Sequence, residues 1–132
     1  MKILGISGSL RKGSFNTALL HAAVDLAPAG IELIARTIHG VPLYDADLEA
    51  AEGIPEKVAE LKELAISADG LILFTPEYNN SLPGVFKNAI DWITRVGHSL
   101  FRWTDLSASS GTLPASRGFV RRFAATTASC TA

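Results

Sequence analysis

One cysteine, three histidines and almost no net charge mark this 132-residue sequence, and each scarcity removes a class of function. Cys130 stands alone, so it forms no internal disulfide and no thiolate metal site. His21, His39 and His98 are isolated and lack ligand spacing, which argues against a metal centre. Twelve basic residues face thirteen acidic ones, so no overall field attracts nucleic acid or an anionic membrane. The pair Arg121 and Arg122 is too short for a nucleic-acid patch. No apolar run approaches the ~20 residues of a membrane helix. The first ten residues are interrupted by Gly5, Ser7 and Gly8 and followed by Arg11 and Lys12, unlike a secretory signal. A soluble cytoplasmic protein is expected, one domain built on the 48% of hydrophobic residues.

Short apolar runs alternate with helical patterns. Residues 2–6 read as a strand buried on both faces, ending in Ser7-Gly8-Ser9. From Asn16, apolar residues recur at helical spacing until Pro28 and Gly30 stop them. Residues 31–34 read as a second strand, and residues 40–53, with Pro42 and several acids, as a loop. Pro55 fits the first turn of a helix running to about Ala68. Residues 70–74 form the clearest buried strand, and Pro83 opens a helix bearing Val85, Phe86, Ala89, Ile90 and Ile93. This alternation predicts an α/β fold with a parallel sheet covered on both faces. In such sheets ligands bind beyond the carboxyl ends of the strands, where strand order reverses.

The loop after the first strand, residues 7–17, is dense in donors. Ser9, Ser14 and Thr17 offer hydroxyls, Asn16 an amide and Arg11 a guanidinium, beside a helix N-terminus whose dipole favours negative charge. A turn and a helix cap need fewer donors than this. The loop has neither the Gly-Lys-Ser/Thr ending of an ATP-type phosphate loop nor a Gly-x-Gly-x-x-Gly dinucleotide fingerprint. It also lacks the nucleophile elbow of hydrolases, which needs glycine where Ser9 stands. A terminal monophosphate, such as that of FMN, suits it better than a pyrophosphate.

The loop after the third strand contains Pro76, Glu77, Tyr78 and Asn79, and two prolines restrict its backbone. Its N–H groups can address the edge of a planar heterocycle, and Tyr78 adds an aromatic surface. Donors near the N1–C2 region of a flavin would ease its reduction. On the helix that follows, Lys87, Asn88 and Asp91 are expected in solvent contacts or ion pairs, and Trp92 in packing. Asp45, Asp47 and Glu49 read as a solvated acidic loop rather than a cation site.

Gly8-Ser9-Leu10-Arg11 with Ser14 and Asn16, then Pro76-Glu77-Tyr78-Asn79 through Pro83-Gly84 to Lys87-Asn88-Ala89-Ile90-Asp91-Trp92, resembles the NAD(P)H-dependent FMN reductase family. Within it the chain is most similar to soluble quinone and chromate reductases, and Pro42-Leu43-Tyr44-Asp45-Ala46-Asp47 resembles the family's segment after the second strand. The resemblance spans residues 1 to about 95. It implies a flavodoxin-like three-layer sandwich, FMN as cofactor, NADPH or NADH as hydride donor, and a small-molecule electron acceptor. It further implies that Ser9, Arg11, Ser14, Asn16 and Thr17 hold the phosphate, that Pro76, Glu77, Tyr78 and Asn79 contact the isoalloxazine, and that the chain forms a homodimer or homotetramer.

Beyond Arg95 the pattern departs from the family. Residues 99–107 make a poor buried strand, Ala108-Ser109-Ser110-Gly111 faintly resembles a third flavin loop, Arg117 stands roughly where the family often has an arginine, and residues 119–132 have weak periodicity. The expectation is a core at 1–95 and a divergent segment at 96–132, which is either a divergent edge strand and helix or, the favoured reading, out-of-frame or truncated sequence that leaves the sheet incomplete after residue 95 and one side of the third strand exposed. A flavodoxin-like electron carrier, or an inactive truncated reductase, is the alternative to an active enzyme.

Overall fold

Leu4 and Ile6 point to one side of β1 (Lys2–Ser7), and Gly5 and Ser7 to the other, as strand alternation requires. The computed structural model describes residues 1–95 and the backbone of residues 123–127. The elements that follow β1 are α1 (Phe15–Asp25), β2 (Glu32–Thr37), α2 (Ala46–Glu52), α3 (Glu56–Ser67), β3 (Gly70–Thr75), α4 (Gly84–Thr94) and β4 (Phe123–Thr127). All strand pairs are parallel, in the order β2-β1-β3-β4. Leu4 lies opposite Ile34 on one side and Leu71 on the other.

Helices cover both faces. Leu4 and Ile6 join Leu61 and Ala65 of α3 and Phe86, Ala89 and Ile93 of α4 in one apolar cluster. On the opposite face Gly5 lies under α1, where an added Cβ would sit 2.5 Å from Cδ1 of the buried Leu20. That close approach is why a strand interior carries glycine here. The result is the expected three-layer α/β sandwich.

Local chemistry explains the boundaries. Ser14 caps α1, its Oγ accepting from Thr17 N–H at 3.3 Å. Pro55 and Pro83 immediately precede α3 and α4, where a missing N–H does no harm. The second strand runs on to Thr37, past the apolar stretch at 31–34, because pairing with β1 continues to the Ser7–Thr37 register. Residues 40–53 are not all loop: α2 occupies Ala46–Glu52, with Asp45 Oδ1 accepting from Asp47 N–H at 2.9 Å and acids in the first turn. None of its residues is buried, so no apolar stripe announced this helix.

β4 lies on the outer edge of β3, with Leu71 opposite Phe123 and Thr75 opposite Thr127. It covers the side of β3 that a sheet ending there would expose. Its sequence, Phe-Ala-Ala-Thr-Thr, has no alternation to mark it. The segments read at 99–107 and 108–111, together with His98, Arg117, the Arg121–Arg122 pair and Cys130, lie outside the described residues. Among the described residues no helix is long and apolar enough to cross a membrane.

Glu60 on α3 ties that helix to β2, accepting from Arg36 Nε at 2.8 Å and from Lys57 Nζ at 2.7 Å. The Lys57 bond, then the Arg36 bond, hold its carboxyl below the ordinary value of 4.5. A carboxyl lowered in the folded state stabilises the fold above that ordinary value and loses the contribution as pH falls through the lower one. Glu60→Gln is therefore expected to lower the melting temperature at about pH 7, by a margin that shrinks as pH falls below the ordinary carboxyl value. Melts across that range test it; a difference that stays constant with pH would refute the account.

Candidate functional site

The chain leaves β1 for β2 on one side and returns to β3 on the other, so strand order reverses between the carboxyl ends of β1 and β3. Two loops start there side by side, because Gly8 N–H donates to Phe74 O at 2.8 Å. Gly8 also presses on the face of Phe86: an added Cβ would lie 2.3 Å from its Cδ1.

The β1–α1 loop gathers the first group of sequence-predicted residues. Ser9, Ser14 and Asn16 are buried, Thr17 is half-buried and Arg11 is exposed. Ser9 Oγ accepts from Arg11 N–H at 3.3 Å, and Ser14 Oγ accepts from Thr17 N–H, which leaves both hydroxyl hydrogens free to donate. Thr17 Oγ1 and Ser7 Oγ share one hydrogen across 2.7 Å, so one hydroxyl of this pair retains a donor. At the start of α1, Phe15 and Asn16 N–H have no partner within the helix. Asn16 Oδ1 is buried without a hydrogen bond, alone in that respect among the described side chains. Neither Arg11 nor Lys12 forms an ion pair among the described residues.

The β3–α4 loop holds the second group. Tyr78 and Ser81 exchange two backbone hydrogen bonds, Tyr78 N–H to Ser81 O at 2.9 Å and Ser81 N–H to Tyr78 O at 3.0 Å. Between them Asn79 and Asn80 have φ of 53° and 60°. Two successive positive φ angles define a type I′ hairpin turn, which asparagine tolerates best after glycine. Pro76 is half-buried, and Glu77, Tyr78 and Asn79 are exposed, with Tyr78 at 57%.

A third loop, after β2, was not read as part of the site. Pro42 O accepts from Asn88 Nδ2 at 2.8 Å and Trp92 Nε1 at 2.9 Å, while Tyr44 N–H donates to Asn88 Oδ1 at 2.8 Å. Asn88 is thus a strut between this loop and α4, whereas Trp92 packs, fully buried, and Lys87 pairs with Asp91 as expected. Tyr44 donates its hydroxyl to Glu49 at 3.0 Å and meets Trp92 edge-on at 4.9 Å. Arg95 lies 5.0 Å over the Tyr44 ring and bonds Glu49. Burial, then the Glu49 bond, push the Tyr44 phenol above its ordinary value, with Arg95 opposing. The contacts of Asn88 span forty-four residues or more, and no local spacing signals them.

A doubly covered parallel sheet with a donor-rich loop at its switch point is the arrangement of an α/β protein able to take a phosphorylated ligand. The profile of the NADPH-dependent FMN reductase family matches residues 1–117, and the chain belongs to that family. It is 50% identical over 95 residues to an NAD(P)H-dependent FMN reductase of Pseudomonas aeruginosa, covering 72% of this chain and 51% of that one. It is 46% identical over 97 residues to a quinone reductase of Escherichia coli K12, covering 73% and 52%. Among solved structures it resembles FerB, a flavoenzyme NAD(P)H:(acceptor) oxidoreductase of Paracoccus denitrificans, at a TM-score of 0.64 and 41% identity over 72% of this chain and 51% of that one. The chain spans about half the length of the curated relatives it matches.

Proposed function

We propose that residues 1–95 form the FMN-binding core of an NAD(P)H-dependent reductase acting on quinones, free flavin or similar small acceptors. The observation that carries this reading is the β1–α1 loop, where buried hydroxyls keep free hydrogens beside a helix N-terminus and a buried carboxamide oxygen has no partner. A buried polar atom left unbonded costs about 1–3 kcal/mol, which a ligand bond would offset. A half-turn of the Asn16 amide exchanges acceptor for donor, so it can serve a phosphate oxygen or a ribityl hydroxyl. The fit to a phosphomonoester is therefore good.

In this reading Ser9, Ser14 and Thr17 donate to the phosphate, Arg11 supplies the charge, and Asn16 completes the shell. Pro76, Glu77, Tyr78 and Asn79 address the isoalloxazine, with the type I′ turn holding the loop in one shape. FMN held there would supply the hydride chemistry that links NADPH or NADH to the acceptor. No side chain needs to act as general base; the chain binds, orients and screens the ring.

Residues 96–132 are the divergent remainder of the same domain. Family membership supports a cytoplasmic homodimer or homotetramer, and chromate would be reduced as a tolerated acceptor rather than a selected one. The test is a fluorescence titration of the purified chain with FMN, followed by NADPH oxidation with and without FMN and a quinone. Quenching of FMN and FMN-dependent, quinone-stimulated oxidation are expected. Absence of FMN binding would overturn the reading.

A further inference from the structure

His39 sits just past the end of β2, exposed, and reaches back to the phosphate-type loop. Its Nε2 lies 3.1 Å from Leu10 O and its Nδ1 3.1 Å from Thr37 Oγ1. A carbonyl oxygen only accepts, so Nε2 carries the hydrogen of this contact, and in the neutral ring Nδ1 accepts from the Thr37 hydroxyl. Thr37 is paired in the sheet opposite Ser7, so the imidazole is anchored to the rigid part of the fold.

We infer that His39 is a positioning residue for the phosphate end of the flavin site, holding the outer loop in its binding shape before ligand arrives. The inference rests on the FMN reading above. Residues 10–13 are all exposed, and an added Cβ at Gly13 would meet nothing within 4 Å. Their hydrogen bonds inside the loop run from Arg11 N–H to Ser9 Oγ and from Ser14 N–H to Arg11 O. Among the described residues, the bond from His39 to Leu10 O is the one that ties this stretch to another element. Leu10 immediately precedes Arg11, so fixing its carbonyl sets the direction in which the guanidinium-bearing residue leaves the loop. A loop ordered in advance loses less conformational freedom on binding, which raises affinity without any new contact to the ligand.

The inference separates the phosphate from the ring. Loss of His39 should weaken ligands that carry the phosphate and spare those that lack it. The full chain is titrated with FMN and with riboflavin, as parent, His39→Ala and His39→Gln. The glutamine amide reaches about as far as Nε2 and restores the donor. His39→Ala is expected to raise the FMN dissociation constant about fivefold, the effect of one ordinary hydrogen bond. Riboflavin affinity should not change, and His39→Gln should recover FMN binding to within about twofold of the parent. Flavin-free melts should coincide, since the ring is exposed. Unchanged FMN affinity in His39→Ala would overturn the inference, as would equal losses for both flavins or a glutamine variant as weak as the alanine one. A parent chain that binds FMN no better than riboflavin would overturn the phosphate reading itself, and this inference with it.

Discussion

Gly8→Ala is expected to lower the melting temperature by about 10 °C, a large effect for one methyl group. The new Cβ would lie 2.3 Å from Cδ1, 2.4 Å from Cγ and 2.8 Å from Cε1 of Phe86. Neither side can yield easily. Phe86 is fully buried among Leu4, Ile6, Leu61 and Ala89, and Gly8 is held by its bond to Phe74 O. Overpacking of this kind costs about 1–3 kcal/mol, against a total stability of about 5–15 kcal/mol for an ordinary domain. The clash has one identified partner, so a second change should relieve it. Phe86→Leu alone is expected to destabilise by leaving a cavity, yet combined with Gly8→Ala it should cost less than the sum of the two. Thermal melts of the four proteins decide the matter, and strict additivity would show that the ring is not what Gly8 accommodates.

The second large effect is on ligand rather than fold. Ser9→Ala combined with Arg11→Ala is expected to weaken FMN about 100-fold, since hydrogen bonds to a charged group are worth about 1.5–3 kcal/mol each. Arg11 is exposed and makes no ion pair among the described residues, and the Ser9 side chain accepts a single long bond from Arg11 N–H. The melting temperature without flavin should therefore fall by no more than a few degrees. Riboflavin affinity should stay near that of the parent, because the proposed site gives both residues to the phosphate. An FMN affinity equal to the parent's would place the phosphate elsewhere.

The layout of the candidate site was legible in the chain where its determinants are local. Ser9, Arg11, Ser14, Asn16 and Thr17 fall within nine residues, where a buried strand gives way to a helix, and that change of period is visible in any window of the sequence. The structure places Ser9 and Arg11 on the β1–α1 loop, Ser14 at the cap of α1 and Asn16 and Thr17 in its first turn, with Ser9, Ser14 and Asn16 buried. Pro76, Glu77, Tyr78 and Asn79 were likewise marked by flanking prolines, although the hairpin turn at Asn79 and Asn80 was not, since asparagine pairs without glycine seldom announce a type I′ turn. What stayed hidden was the traffic between loops. His39 lies twenty-nine residues from Leu10, and Asn88 forty-six from Pro42; such contacts depend on sheet order, which spacing does not encode. The helix α2 was missed because it is short and none of its residues is fully buried, and the position of β4 was not read because pairing with the edge of β3, not its own pattern, makes it a strand.

The sheet order also has a kinetic side. Among the described residues no two of the four strands are joined as a hairpin; β1 pairs with residues about thirty and about sixty-seven positions away. Contacts this distant must close long stretches of chain before they return any stability, so the domain belongs with the slower folders of its size. The β1–α1 loop stands near the start of the sequence, yet what fixes Gly8 within it is the Phe74 carbonyl and the Phe86 ring. It takes its final shape only when β3 and α4 have docked. FMN therefore cannot template the early steps of folding, and added flavin should slow unfolding while leaving the refolding rate unchanged.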